Sequence, residues 1–210
     1  MKTLREVAEE ICPYRLEDYD PAIDDILDEC LHDSWIVGFI AGARWKEENP
    51  VSAGSVSDPE SDSIELCGLL WDTENLAIGG YEKYGRHYYT WQEAMDVAKY
   101  VGKRLPTREE WEALCDLGST WDDERKGPWF GGNHDSDHKG SLFLPAAGWI
   151  DIYSGELRST SLYGYYWSSS PYYGGCNSAG NLYFYSGIVN PLSNYNSAFA
   201  FSVRCVRDKE

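Results

Sequence analysis

No Asp, Glu, Lys or Arg occurs between Arg158 and Arg204, although a quarter of the chain is charged. At average frequencies about 11 of the 45 residues in this stretch would carry a charge. Tyr, Ser, Gly and Asn instead supply 22 of the 35 residues from Ser168 to Ser202. That composition is typical of antibody binding loops, where Tyr gives rigid contact area and small polar residues give adaptable hydrogen bonds. A Ser- and Asn-rich turn region of a β domain has the same composition, so both interpretations stay open.

Two further absences concern location. The start, MKTLREVAEE, has no apolar core segment and no small-residue cleavage site, so it lacks the features of a secretory signal. The longest apolar run, from Trp35 to Ala43, is about half as long as a membrane span requires. We therefore expect no membrane span, and either a cytoplasmic location or carriage on a phage particle.

The cysteines contain no CxxC pair. The six are Cys12, Cys30, Cys67, Cys115, Cys176 and Cys205. Because no secretory signal precedes them, we interpret them as reduced thiols that are mostly buried.

Acidic residues exceed basic ones by 17, and the excess is uneven. Residues 1–62 hold 16 acidic and 5 basic side chains, which is a net charge of −11. This balance repels phosphate backbones, so nucleic acid is not expected as a partner. Solubility alone explains the charge equally well.

The chain divides into three parts. Residues 1–49 read as an acidic helical appendage, with a capping box at Thr3–Glu6 and an Asp20-Pro21 helix start. It has too little core to be stable alone, so we expect it to dock on the main domain, another copy or another subunit. Residues 50–63 are polar and rich in Ser and Pro, as in a linker. Residues 64–210 form the main domain.

Helix signals and strand signals alternate in the main domain. A strand is predicted from Ile64 to Trp71, and capping boxes at Thr90–Glu93 and Thr107–Glu110 predict two helices. Gly102 and Gly118 stand where these helices should stop. Two helices followed by many short strands favour an α+β domain with helices packed on an antiparallel sheet.

Two segments near the end alternate in the manner of half-buried strands. Leu182 and Phe184 fall on one face, and Tyr183 and Tyr185 on the other. The second segment runs from Phe199 to Arg204: its Phe and Val residues are predicted to be buried, and its Ala, Ser and Arg residues to lie outside. The Tyr, Ser and Asn members would lie outside the core, on a surface that carries no charge of its own.

Several ordered motifs carry a family resemblance over about residues 64–208. They are Leu69-Leu70-Trp71, His87 to Trp91, Gly102 to Thr107 with Glu110-Trp111, Ser141 to Gly148, Gly164 to Ser169, and Phe201 to Asp208. Together these segments resemble the C-type-lectin-like fold shared by formylglycine-generating enzymes and the "major paralogous domain" proteins first noted in Fibrobacter. The C-terminal layout is similar to that of the variable proteins of diversity-generating retroelements, in which scattered codons are rewritten and the altered side chains form a ligand-binding surface.

The resemblance implies a C-type-lectin-like α+β domain that binds an unknown protein or glycan ligand through residues 163–200, without a cofactor, a metal or a catalytic residue. Tyr residues would act as anchors and Ser residues as a hydrogen-bonding rim. The predicted ligand-binding residues are Tyr163, Tyr165, Tyr172, Tyr173, Cys176, Ser178, Tyr183, Tyr185, Ser186, Ile188, Leu192, Ser193, Tyr195 and Ser197. The tryptophans of the motifs (Trp71, Trp91, Trp111 and Trp167) are interpreted as core, whereas Trp121, Trp129 and Trp149 are left open between packing and binding.

Two other functions stay open. An oxidase of the formylglycine-generating type would need a reactive cysteine pair, but Cys176 and Cys205 lack that branch's catalytic segment. A structural subunit of a phage tail or surface appendage would use the N-terminal helices for docking.

The loop from Asn133 to His138 has oxygen ligands that suit calcium, but it lacks the further acidic ligand of an EF-hand, so a solvated loop is favoured.

Overall fold

The computed structural model describes residues 62–132, 138–151, 154–172 and 178–209. Strands make up 48 % of these residues and helices 14 %. The strands are β1 Ser63–Leu66, β2 Leu69–Asp72, β3 Tyr81–Lys83, β4 Arg86–Tyr88, β5 Ser119–Asp122, β6 Gly127–Phe130, β7 Leu142–Phe143, β8 Trp149–Asp151, β9 Glu156–Arg158, β10 Tyr163–Pro171, β11 Ser178–Tyr185, β12 Ile188–Asn196 and β13 Val206–Asp208. The helices are α1 Trp91–Tyr100 and α2 Arg108–Asp116.

The strands form five small antiparallel sheets. Their orders are β1-β2-β13, β10-β11-β12, β5-β6-β7, β3-β4 and β8-β9. The expected C-type-lectin-like α+β domain is therefore wrong, because the described residues are mostly β and fall into small separate sheets. The two helices of the described residues are short, at 10 and 9 residues. The predicted appendage, residues 1–49, and the linker up to residue 61 lie outside the described residues.

Both capping boxes of the main domain are confirmed. The Thr90 backbone N–H donates to Glu93 Oε2 at 2.8 Å, ahead of α1. At α2 the exchange is reciprocal: the Glu110 N–H donates to Thr107 Oγ1 at 3.2 Å, and the Thr107 N–H donates to Glu110 Oε2 at 2.8 Å. These bonds satisfy amide groups that a helix N-terminus otherwise leaves without partners.

The predicted strand from Ile64 to Trp71 is wrong as a single element, because it folds into the β1–β2 hairpin. Cys67 and Gly68 form the turn, with φ of 52° and 77°. Positive φ at both central residues is the geometry of the two-residue turns that match strand twist. The sequence does not signal this turn clearly, because β1 and β2 are both apolar and Cys is not a usual residue at the first central position of such a turn.

The β10-β11-β12 sheet lies between two core clusters. Trp167 packs on one side with Val97, Leu105 and Phe201. On the other side, Tyr166, Leu182 and Phe184 pack with Trp111 and others. The prediction of core tryptophans is confirmed for Trp71, Trp111 and Trp167, which have no exposed surface, whereas Trp91 is half-buried and donates its indole N–H to the Ser168 carbonyl at 2.7 Å.

The alternation predicted for Phe199 to Arg204 is wrong, because Ala200, Ser202 and Arg204 are buried as well. This segment crosses the interior and forms isolated bridges to Tyr89, Ile150 and Tyr166 instead of lying at a surface. The Arg204 guanidinium donates to the Asp72 and Thr73 carbonyls and to Asn75 Oδ1. A buried cation is tolerated here because backbone and amide oxygens satisfy it.

Candidate ligand-binding surface

Cross-strand register brings four tyrosines to one face of the β10-β11-β12 sheet. Tyr163 lies opposite Tyr185, and Tyr165 lies opposite Tyr183. Residues directly opposite each other on antiparallel strands share a face. On the other side of β11, Ile188 of β12 lies opposite Tyr185 and extends this face.

The rings form one continuous cluster, which we call the aromatic patch. Its members are Tyr163, Tyr165, Tyr183, Tyr185, Tyr195, Trp149 and Phe199. Tyr163 stacks on Tyr183 with centroids 5.8 Å apart, and Tyr165 lies 5.0 Å from Tyr183. Tyr195 joins the two ends of the cluster, with centroids 6.0 Å from Tyr165 and 5.2 Å from Phe199. Trp149 packs edge-on against Phe199 at 4.8 Å. Such pairs hold each ring in a defined orientation.

The patch is partly exposed and electrically neutral. Tyr185 and Tyr195 are each 37 % exposed, and the other members are half-buried. Burial, and secondly the neighbouring tyrosines, raise the pKa of Tyr165 and of Tyr183 above the ordinary value. These phenols therefore stay protonated at physiological pH. They present hydroxyl groups and ring faces but no charge.

The opposite face of the same strands anchors this arrangement. Leu182 and Phe184 have no exposed surface, and Gly164 lies directly across from Phe184. A Cβ at Gly164 would lie 2.1 Å from the Phe184 ring, so only glycine leaves room for that ring. The register that buries Phe184 therefore also presents Tyr183 and Tyr185 outward.

The edge of the sheet is less suited to binding than its face. The β11–β12 register shifts between Asn181 and Tyr183, which places an irregularity in the middle of β12. There, Pro191 has no N–H, and the Leu192 N–H donates to Asn190 Oδ1 at 2.9 Å. A bulged edge with proline and an occupied amide resists the addition of another strand.

The structure brings together only some of the predicted ligand-binding residues. Five of them are in the aromatic patch: Tyr163, Tyr165, Tyr183, Tyr185 and Tyr195. Ile188 and Leu192 are 45 % and 51 % exposed along β12, and Ser186 is exposed in the preceding turn. Ser193 is half-buried opposite the buried Asn181.

The remaining predicted residues lie elsewhere or outside the description. Ser178 begins β11 and is half-buried, and the Ser197 carbonyl accepts the Trp91 N–H at 2.9 Å beside α1. The Tyr172 ring lies 5.8 Å from the Arg108 guanidinium. Tyr173 and Cys176 fall in residues 173–177, outside the described ranges.

Trp149 and Phe199 are members of the patch that the sequence analysis did not include among binding residues. From the sequence, Trp149 stays open between packing and binding, and Phe199 is predicted to be buried. The available signal was local: Trp149 alternates with Ile150, which is buried. Only the contacts of Tyr195 with both rings reveal that they continue the tyrosine surface.

The alternative sites are placed as follows. Cys205 is buried, Cys115 is half-buried and Cys67 is exposed, so the expectation of mostly buried thiols is met only in part for the described cysteines.

His138 stacks on Trp129 at 4.3 Å, while the rest of the predicted calcium loop lies outside the described residues. The described ranges contain no group of three or more potential His, Cys, Asp or Glu metal ligands. In the same ranges, neither helix has the length and hydropathy to cross a bilayer.

No family model, curated protein or solved structure matches this chain. The resemblance to variable proteins of diversity-generating retroelements therefore stays a prediction based on the motifs alone.

Proposed function

We propose that this protein is a non-enzymatic binding protein that holds a protein or glycan ligand on the aromatic patch. The observation that carries the proposal is the continuous cluster of seven rings around Tyr183 and Tyr195, five of which lie on one face of the β10-β11-β12 sheet. Tyrosine and tryptophan dominate binding hot spots because they combine large apolar area with a hydrogen-bonding group. Ring faces stack equally on apolar side chains and on the C–H faces of sugars.

The absence of charge from residues 159–203 supports recognition by shape and neutral hydrogen bonds. The exposed side chain of Ile188, which lies opposite Tyr185, extends the surface with aliphatic area, which favours a protein ligand over a glycan. Cys205 is fully buried, so its thiol is out of reach of a substrate. That burial favours binding over the oxidase alternative.

We further propose that the exposed positions of this surface are diversified by a retroelement. The outward side chains of β11 can change without touching Leu182 or Phe184, which pack on the opposite side. A near-copy of the codons for residues 163–208 beside a reverse transcriptase gene is the expected genomic observation. Complete genomes that carry this gene without such a copy would contradict diversification but leave ligand binding intact.

A capture experiment tests the binding proposal. The protein is immobilised and exposed to a glycan array and to extracts, and each captured ligand is then compared on the parent, Tyr183→Ala and Tyr165→Ala proteins. The matched control is Tyr84→Ala, because Tyr84 is 92 % exposed at the β3–β4 turn, outside the patch. If Tyr183 or Tyr165 is a hot spot, replacing it with alanine should weaken ligand binding by about 2 kcal/mol or more. If Tyr84→Ala weakens ligand binding and neither Tyr183→Ala nor Tyr165→Ala does, the binding site lies outside the aromatic patch.

A further inference from the structure

Asn190 faces the same side of the β10-β11-β12 sheet as the tyrosines of the aromatic patch. It lies directly opposite Tyr183 on the neighbouring strand, just as Ile188 lies opposite Tyr185. Residues that oppose each other on antiparallel strands share a face, with their Cβ atoms about 5 Å apart. The Asn190 side chain is exposed to solvent. A ligand held on Tyr183 and Ile188 would therefore also reach this amide.

A turn inside β12 fixes which way the Asn190 amide points. The Leu192 backbone N–H donates to Asn190 Oδ1 at 2.9 Å, which forms an Asx turn. The residue between them, Pro191, has no N–H that could compete for this oxygen. An N–H bonds only to an acceptor, so the amide oxygen faces Leu192 and the Nδ2 group faces away. The two Nδ2 hydrogens are thus left for another partner.

The Asn190 Nδ2 group is hydrogen-bonded to no acceptor among the described residues. The tyrosines of the patch carry hydroxyls that rotate and can donate or accept, whereas Nδ2 only donates. A group that is already held in its bound orientation loses less conformational entropy when a ligand binds. Asn190 therefore adds an oriented hydrogen-bond donor to the ring faces and rotating hydroxyls of the patch.

We propose that Asn190 determines the specificity of the aromatic patch by donating its Nδ2 hydrogens to a peptide carbonyl of a protein ligand. This role rests on the proposed function of the patch and names the group that the patch recognises. A neutral acceptor is favoured over a carboxylate, because residues 159–203 hold no Lys or Arg and the chain carries a net charge of −17. Ile188, 45 % exposed on the same face, would pack against the aliphatic side chain next to that carbonyl.

A neutral peptide fragment tests this role on the whole protein. N-acetyl-leucine amide, which carries amide carbonyls beside an aliphatic side chain, is titrated into nitrogen-15-labelled protein. The Asn190 side-chain NH2 signals should shift saturably, together with the backbone signal of Tyr183. Asn190→Asp keeps an oxygen for the Leu192 N–H but loses the donor. It should therefore weaken binding of the fragment, measured at the Tyr183 signal, by roughly three- to tenfold, as the loss of one hydrogen bond does.

The matched control is Asn194→Asp, which places the same charge on another exposed residue of β12. Asn194 lies opposite Gly180, which alternates along β11 with the buried Leu182 and Phe184. The new charge is therefore on the face away from the patch, and the fragment should bind this variant as tightly as the parent protein.

The outcomes separate the role of Asn190 from the proposed function. If Tyr183→Ala weakens binding of the fragment and Asn190→Asp does not, the patch binds ligands but Asn190 does not determine which ones. If the fragment shifts no signal of the patch, recognition of a neutral peptide carbonyl is overturned, and the capture experiment still tests the proposed function separately. N-acetylglucosamine carries the same carbonyl on a sugar ring, so tighter binding of this sugar than of N-acetyl-leucine amide would overturn the assignment of a protein ligand.

Discussion

The two faces of the β10-β11-β12 sheet are built from alternating residues of the same strands, yet they differ in burial and in the freedom of their side chains. On one face Tyr166 and Phe184 are fully buried, and their rings stack 5.8 Å apart. On the other face Tyr165 and Tyr185 also contact rings, but they keep part of their surface in solvent. The comparison teaches that aromatic contact alone does not distinguish a core from a binding surface.

The two faces differ in whether their tyrosine hydroxyls form hydrogen bonds within the protein. The Tyr166 hydroxyl donates to the Pro145 carbonyl at 2.8 Å and accepts from Asn75 Nδ2 at 3.2 Å. The hydroxyls of Tyr163, Tyr183 and Tyr185 lie on the open face, and none of them has a hydrogen-bond partner among the described residues. A ligand can use a hydroxyl that the fold does not use.

The largest expected effect separates the faces by stability. Phe184→Ala should lower the free energy of unfolding by about 3–5 kcal/mol, because it empties a fully buried site. Urea unfolding monitored by tryptophan fluorescence measures this loss. Ligand-binding residues on the other face would keep their positions in a variant that stays folded. A loss of less than about 1 kcal/mol would mean that the buried face is misassigned.

The second effect concerns the glycine across from that ring. Gly164→Ala should cost about 1–3 kcal/mol, because the added Cβ meets the Phe184 ring at 2.1 Å. A double-mutant cycle with Phe184→Leu measures the coupling between the two sites. The cost of Gly164→Ala should be smaller in the Phe184→Leu background. Strict additivity would contradict the close approach of Gly164 and Phe184.

The third effect is the dependence of the free energy of unfolding on pH. Burial raises the pKa of Tyr166 to about 12 and also raises the pKa of Tyr165, from an ordinary value of 10.0. A phenol whose pKa is higher in the folded than in the unfolded chain contributes its full stabilisation below pH 10.0, the ordinary pKa. This contribution is lost as the pH rises through the pKa of the folded state. The free energy of unfolding should therefore decline above pH 10.0.

The decline should be less steep in Tyr165→Phe, which removes one of the raised phenols. Urea unfolding across the alkaline range measures the slope. Tyr84→Phe, at the exposed β3–β4 turn, is the matched control and should keep the parent slope. A Tyr165→Phe protein with the parent slope would show that Tyr165 ionises as easily in the folded chain as in the unfolded one.

The smallest effect on stability belongs to the exposed rim of the patch. Tyr185→Ser should change the free energy of unfolding by no more than about 1 kcal/mol, because the side chain is 37 % exposed and its contacts are with neighbouring rings. The same urea titration used for Phe184→Ala gives the comparison directly. A greater loss for Tyr185→Ser than for Phe184→Ala would reverse the assignment of the two faces.

Local signals in the sequence predicted several elements of the fold. The Thr107–Glu110 capping box and the Leu182/Phe184 alternation depend on residues a few positions apart, so they are legible without tertiary contacts. The fold class was wrong, because the pairing of short strands into separate sheets is decided by distant partners. Thus β2 pairs with β13, more than 130 residues later in the chain, by contacts that no local pattern encodes.

The candidate site divides in the same way. Strand alternation predicted Tyr183 and Tyr185, and the family resemblance together with composition predicted Tyr163, Tyr165 and Tyr195. They did not predict that Trp149 and Phe199 complete the patch, because these rings reach Tyr195 across separate segments.

Three properties can be read from the residue order alone: where charge is absent, where both helices of the main domain begin, and which residues of β11 face the core. These properties follow from residue chemistry and from strand and helix periods. The contacts between distant segments, in contrast, fix which rings meet, which side of the sheet stays open, and which buried polar groups of the described residues are paired. The physical reason is that packing and hydrogen-bond satisfaction depend on atoms a few ångströms apart in space, whatever their separation along the chain.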